Sequence, residues 1–531
     1  MRSRFDILAD ARGLFNFNGT FTGNSFADYL LGDPNQETLN SELYGDLRYK
    51  YYGAYINDDW KVTPKLTLNI GIRYERETAP IERNNLQSNF VVGPNVLIFP
   101  NNNIPPTTLI PASLAGQIPA GVDSRALVRV FGNNWAPRAG LAYQLFRNTV
   151  IRVGGGIFYA EADAAGASGR PVSNPPFRTT YNPPAGDGIH PTFTFASGFP
   201  ATAENPAFFN QSASALISFN PDERVPVVYK WSADVQHEIG KFLLDVGYVG
   251  TKGTDLAVAY NINQAFAGPG TAASRFPYQG FNTITYQDSM GNSTYNSLQV
   301  RVQRRYSNGV SLLMSYTWSK SIDLGSGSLV ADLSFRNVSN VGWERAVSSG
   351  SVPQRFVTSY TYALPVGYGK QFNPGNRVLA RVIGDWQLNG ITTIRDGQPF
   401  TVTQNVSSAN TGAARPNWSP NVHQPGFQSS VNEWFDLTAF SNPTQYNYGN
   451  AGRDILRGPG AINFDASIFK RFEVPKLGES GQVQVRFEGF NIFNHPNFGT
   501  PNGNISVAGA GTITTLTTSM RVLQGGLKVI F

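Results

Sequence analysis

The sequence has no cysteine, which excludes a disulfide framework, thiolate metal ligands and a cysteine nucleophile. Histidine is scarce as well. His190, His237, His423 and His495 are scattered and show none of the short spacings of a metal site. No run approaches the roughly 18 apolar residues of a membrane-spanning helix. Charged residues make up only 15% of the chain, against roughly 25% in soluble domains. The net charge of +6 is small for 531 residues and forms no concentrated basic run, so nucleic acid is not an expected partner. Residues 1–12 lack the apolar core of a signal peptide.

What is plentiful points one way. Aromatics reach 13%, with 36 Phe and 23 Tyr, beside 54 Gly and 34 Pro. Low charge with many aromatics and glycines suits long strands, aromatic girdles and frequent turns. The stretch from Ser297 to Asp323 gives the pattern in full. Leu298, Val300, Val302 and Tyr306 fall on one parity, and Gln299, Arg301, Gln303 and Arg305 on the other. After Ser307-Asn308-Gly309, Val310, Leu312, Met314, Tyr316 and Trp318 oppose Ser311, Ser315, Thr317 and Ser319. Strict alternation is a β signal, and the three residues between are a hairpin turn. Each arm has about ten residues, what a tilted strand needs to cross a bilayer, whereas strands of soluble domains average about five or six. The apolar face would meet lipid and the polar face a lumen.

The pattern recurs along the chain. An incomplete opening strand is expected within 5–19, and Ser25 to Gly32 reads as a helical turn in a loop. Hairpins follow at 51–75 around Thr63-Pro64-Lys65, at 135–160 around Arg147-Asn148 and at 227–251 around Gly240. Further strands are predicted over 354–364, 385–395, 463–472, 482–494 and 517–531. Short turns near 64, 147, 240, 307, 369 and 477 alternate with long connections, which is the arrangement of periplasmic turns and extracellular loops in outer-membrane barrels. Loops beyond roughly fifteen residues are uncommon in compact soluble domains. The reading is all-β: an antiparallel transmembrane β-barrel of about fourteen strands.

The chain closes on Leu523-Gln-Gly-Gly-Leu-Lys-Val-Ile-Phe531, with Leu527, Val529 and Phe531 on one face. Barrels of this class end on such a strand, and Leu527, Val529 and Phe531 are candidates for the signal read by the barrel-assembly machinery.

From Tyr52 to Glu75 the chain resembles the barrel of TonB-dependent receptors, most closely the Oar-like group. Ser315–Lys320, Gly449–Gly460 running into Asn463–Lys470, and Phe487–Gly499 agree in the same order. The resemblance implies energised uptake of a ligand across the outer membrane of a Gram-negative bacterium. It also implies a barrel of about twenty-two strands, of which this is the C-terminal portion. A signal peptide, a plug and a TonB box are expected outside these residues, with the TonB complex acting only through that plug. Lipid and lipopolysaccharide are the expected surroundings.

No catalytic constellation, cofactor motif or metal site stands out, and an enzyme is not expected. Asp58-Asp59, a paired carboxylate, reads as a solvated periplasmic rim beside the turn at 64. Gly154-Gly-Gly156 lacks the helix and lysine of a phosphate loop and reads as a close-packed strand. His237, on an apolar parity, reads as part of a girdle. Arg453 and Arg457 could contact an anionic ligand or lipopolysaccharide; alternatively their loop folds back on the barrel. A passive porin and a structural or adhesive surface protein remain as alternatives. If Leu312 lies near mid-bilayer, Leu312→Arg would cost roughly 2–4 kcal/mol, and Ser311→Arg little.

Overall fold

In a computed structural model the described residues are 2–7, 10–129, 132–160, 170–178, 180–181, 183, 189–201, 203, 215–222, 224–325, 332–412, 414–474 and 481–531. The expected turn near 477 lies outside them. Thirteen long strands run antiparallel, each hydrogen-bonded to the next in sequence. They are β1 (Tyr51–Thr63), β2 (Leu66–Glu77), β3 (Asn134–Phe146), β4 (Thr149–Tyr159), β5 (Val227–Ile239), β6 (Phe242–Asn261), β7 (Ile284–Ser307), β8 (Val310–Asp323), β9 (Gln354–Ala363), β10 (Gln387–Arg395), β11 (Ala461–Glu473), β12 (Gln482–Phe490) and β13 (Val522–Ile530). Three short loop segments pair beside β6, β7 and β8, making a 16-stranded sheet.

The meander is one strand shorter than the expected fourteen. Arg2–Ile7 pairs with Leu43–Arg48, and Leu14–Asn16 with Gln36–Asn40, both outside the large sheet. Alternation within 5–19 could not reveal this, because a period of two specifies faces and not partners. The helical turn does form, over Ser25–Leu31. Asn24 caps its N-terminus, and Gly32 ends it in the left-handed conformation at φ 78°.

Register shows the two faces directly. One hydrogen-bonded row runs Leu66, Tyr143, Ile151, Val235, Val246, Val300, Tyr316, Phe356, Ile394, Ile462, apolar or aromatic in every strand from β2 to β11. The neighbouring row runs Thr67, Ala142, Arg152, Asp234, Gly247, Gln299, Thr317, Arg355, Arg395, Ala461 and holds no large apolar side chain. The apolar row starts beside the 63–66 turn and ends at Ile462, eleven residues before the last residue of β11. About 36 Å of stagger over nine spacings of about 4.8 Å tilts the strands by about 40°, the tilt of barrel walls.

Four of the connections at one rim are two-residue turns. Asn308-Gly309, both with positive φ (52° and 77°), form the hairpin type whose twist matches the strands. At the other rim all connections are long, and the buried apolar clusters are concentrated there. Phe90, Leu97, Phe99, Ile110, Leu114, Leu216 and Phe281 pack together in the loops with Ile284 at the start of β7, and a second cluster joins Phe400, Val402, Phe435 and Phe440. The wall's own apolar side chains are exposed instead, Ile56 at 71% and Ile70 at 53% among them. Aromatics gather near both rims: Trp135, Tyr229, Trp231, Tyr248 and Trp318 toward the loops, and Phe242, Tyr306 and Tyr362 toward the turns. An exposed apolar belt between aromatic girdles is the inverse of a water-soluble sheet.

Neither outermost strand, β1 nor β13, has a partner on its outer side among the described residues, so the sheet is an open wall. The final strand begins at Val522 rather than near 517, and β12 stops at Phe490, where Asn491 turns the chain at φ 48°.

Candidate functional site

The polar face carries charge in matched pairs. Arg152 lies opposite Asp234 in register at 3.4 Å, and Arg301 opposite Asp245 at 2.9 Å. Arg73 pairs with Glu75, and Arg486 with Glu488 at 3.3 Å. Directly opposed charges of unlike sign stabilise a sheet modestly, and like charges destabilise it. One pair breaks the rule. Arg355 and Arg395 are direct cross-strand neighbours on this face. Neither has a carboxylate within ion-pair distance among the described residues, and Arg395 donates only to the Asp396 carbonyl, at 3.5 Å.

These two arginines line a cavity of about 980 Å³ at the loop end of the wall. Thr317, Ser319, Ser321, Gln299 and Thr393 contribute hydroxyls and amides from β7, β8 and β10, and Ser348 and Gln398 close it from the loops. Ser321 and Ser348 share a hydrogen bond of 2.8 Å, and the Ser319 hydroxyl donates to the Val352 carbonyl at 3.0 Å. Toward the turns, a second cavity of about 590 Å³ is lined partly by Leu313 and Ile391. These are apolar residues on the polar parity, 41% and 50% exposed, and Val357 lies two positions along β9 from the residue that both flank.

Arg453 and Arg457 belong to the loop 396–460. Both guanidinium groups are bound within the chain. Arg453 pairs with Asp323 at the end of β8 and with Asp454 at 2.9 Å, and donates to the Glu344 carbonyl at 3.3 Å. Arg457 donates to the carbonyls of Ser351 (3.0 Å) and Gly397 (3.2 Å). Arg415 pairs with Glu344, whose other oxygen accepts from the Arg336 backbone amide at 3.0 Å. Arg336 in turn reaches the Gly449 carbonyl at 2.6 Å and stacks 4.7 Å above Trp343. Burial pulls the Arg336 guanidinium below its usual range, and pushes the Asp454 carboxyl up despite Arg453. The network fastens loop 396–460 to loop 324–353. Only the pairing of distant loops reveals Arg336, Glu344 and Arg415, which no local motif marks.

Asp58 and Asp59 are not at a rim; they sit inside β1 and point to opposite faces. Asp58 lies opposite Ile70 on the apolar parity, and Asp59 accepts from the Asn69 amide on the other. The strand continues to Thr63, past the point where its alternation blurs. Gly154–Gly156 lies within β4, with Gly154 opposite Gly140. His237 occupies the apolar parity two residues from the end of β5, its Nδ1 2.8 Å from the Thr149 hydroxyl. Leu527 and Val529 continue the apolar parity of β12 into β13, and Phe531 stands 89% exposed at the turn rim. Among the described residues no group of three or more His, Asp or Glu could hold a metal ion. Among the described residues no helix is long and apolar enough to cross a membrane, which says nothing of a β-barrel.

Residues 2–524 match the family model described as an outer membrane beta barrel domain. Among curated proteins none matches the chain. Solved structures with a similar course include the outer membrane transporter YddB from Escherichia coli (10% identity, TM-score 0.46), covering 92% of this chain and 46% of that one. The pyoverdine outer membrane receptor FpvA from Pseudomonas aeruginosa is 9% identical, with 92% and 43% covered and a TM-score of 0.44. The siderophore receptor PirA from Acinetobacter baumannii is 10% identical, with 98% and 50% covered and a TM-score of 0.43. The chain thus spans half or less of the length of these structures.

Proposed function

The chain belongs to the outer membrane beta barrel domain family, and from that premise we propose that it forms part of the barrel of a TonB-dependent receptor of Oar-like type. In the full-length protein the barrel takes up a ligand across the outer membrane, energised through a plug held in the lumen. The observation that carries a plugged barrel over an open pore is that Leu313 and Ile391, on either side of Ser359, put large exposed apolar side chains on the lumen face. In a water-filled porin those side chains would stay wet, whereas a folded plug would cover them at roughly 25 cal/mol per Å². The neighbouring cavity lined by Arg355 and Arg395 offers two unmatched positive charges to an incoming ligand or to the plug.

The similar solved structures are described as a transporter and receptors, and the ligand of this chain is left open. Arg453 and Arg457 we assign to holding the loops together rather than to ligand or lipopolysaccharide. Leu527, Val529 and Phe531 we assign to recognition by the barrel-assembly machinery. The test is the genomic DNA immediately upstream of the Met1 codon. An in-frame plug and TonB box support a receptor. A stop codon followed by a separate promoter would overturn it in favour of a plugless porin.

A further inference from the structure

The connection between β9 and β10, at the turn rim, contains a seven-residue helix, Arg377–Ile383, that the sequence reading passed over. Asn376 caps it, its side chain accepting from the amides of Val378 (2.9 Å) and Leu379 (3.2 Å). At 100° per residue, Val378, Leu379, Val382 and Ile383 form one stripe, and Arg377 and Arg381 the opposite one. The stripe is bare: Val378 is 74% exposed and Val382 60%. Ala380, at 3%, is the side chain turned to the wall.

Lys470 fixes which side of the wall the helix occupies. It shares the parity of Ile462 and Ile468 on β11, the lipid-facing parity. Yet it is 3% exposed, because its ammonium donates to the carbonyls of Gly384 (2.6 Å) and Arg381 at the helix C-terminus. A cation at the end of a helix satisfies its orphan carbonyls. Trp386 donates to the Val382 carbonyl at 3.0 Å, and its ring lies 6.4 Å from that of Phe487 on the same face. Arg381 borders a polar cleft with Asp385, Arg471 and Glu473 at the periplasmic strand ends, and none of the four aliphatic side chains does. The helix therefore lies against the outer surface of the barrel, aliphatic side away from the periplasmic cleft and continuous with the lipid belt.

We propose that this helix is an interfacial anchor in the periplasmic leaflet, its aliphatic stripe among the acyl chains of glycerophospholipids and Arg377 and Arg381 at the level of their phosphates. This rests on the barrel reading above. These 531 residues contain no cysteine, so with any cysteine outside them replaced by serine, single substitutions report position cleanly. The full-length protein would carry Val378→Cys, Val382→Cys, Arg377→Cys or the wall control Val302→Cys, each variant first checked for the folded form by heat-modifiable gel migration. In outer-membrane fragments open on both surfaces, a membrane-impermeant maleimide should label positions 378 and 382 at least tenfold more slowly than 377, with 302 protected. Equal labelling of 377 and 378 with 302 protected overturns the helix placement alone; labelling of 302 as well overturns the barrel placement and the anchor with it. A fluorophore at 378 in phosphatidylethanolamine–phosphatidylglycerol proteoliposomes should be quenched by phospholipid with a nitroxide at carbon 5. Protection at 378 without that quenching would mean that protein covers the stripe, and would also overturn the proposal.

Discussion

Arg453 concentrates the cohesion of the loop region in one side chain. Its partners Asp323 and Asp454 are 12% and 6% exposed, so Arg453→Ala would leave two carboxylates in a poorly hydrated site. Removing one member of a buried pair costs about 3–5 kcal/mol. The expected result is loss of protease resistance across 396–460 with the barrel still heat-modifiable. Asp454→Asn should cost less than Arg453→Ala: burial pushes this carboxyl up, so removing its charge offsets part of the lost ion pair, and the loop should keep more of its protease resistance. Asp436 is the opposite case. Hydrogen bonds from Thr438 and the Gln424 amide hold its carboxyl below the usual range. A depressed carboxyl stabilises at and above the ordinary carboxylate range and loses that contribution as pH falls through its folded value; a raised one contributes in acid and loses it as pH rises. Acidification should therefore lower the protection factor of the Thr438 amide relative to its intrinsic exchange rate, with Asp436→Asn abolishing that change. The part of the pH response near Asp454 that disappears in Asp454→Asn should have the opposite sign.

Strands are where the membrane acts. Leu312 is two residues from the start of β8 and faces Tyr360 and Arg304, so it lies near the periplasmic interface and does not meet the mid-bilayer condition set for it above. Val302, opposite Leu244 and Met314 between the girdles, is the deeper site. Val302→Arg should destabilise the folded barrel in lipid by about 2–4 kcal/mol, Leu312→Arg by about 0–1 kcal/mol, and Gln303→Arg on the lumen face by little. Urea titration of the reconstituted full-length protein measures all three, and equal penalties at 302 and 303 would contradict the face assignment. Two glycines show how tightly the wall is packed. A Cβ on Gly250 would come within 2.2 Å of the Trp231 ring, and one on Gly390 within 2.4 Å of the Tyr360 ring. Each ring lies over its neighbour's backbone, so Gly250→Val should displace Trp231 from the girdle. At the last strand, Phe531→Ala should lower the amount of assembled protein in the outer membrane severalfold without changing the mRNA.

For the whole molecule, the distribution of burial is as informative as the topology. The apolar clusters lie chiefly in the loops and the exposed apolar side chains on the wall, so two solvents act on one chain. An open wall with two unpaired edges presents long rows of free backbone groups, which in lipid cost several kcal/mol each. The chain alone in bilayers should therefore insert poorly; if the full-length barrel has further strands, as proposed above, their addition should restore insertion, as read by heat-modifiable migration. If energised transport is correct, disabling the TonB complex in the native host should abolish uptake to the same extent as deleting the full-length gene. Uptake that persists without TonB would favour the pore.

Alternation along the chain determined which segments are strands and which of their faces is apolar, because both follow from the two-residue period of the strand itself. Adjacent residues also located the four two-residue turns, the Ser25–Leu31 helix and the apolar parity of the terminal strand. The connection near 369, by contrast, is long and holds a helix, and the turn near 477 lies outside the described residues. Alternation could not place what depends on a partner distant in sequence. The opening residues left the sheet, Asp58 went inside β1, Arg453 found Asp323 some 130 residues away, and Lys470 found the carbonyls of a helix nearly ninety residues before it. Asn376 and Gly384 bracketed that helix visibly enough, but seven residues are too few to stand out from a turn. Faces are local and therefore legible; register, depth and pairing are set only when the wall assembles.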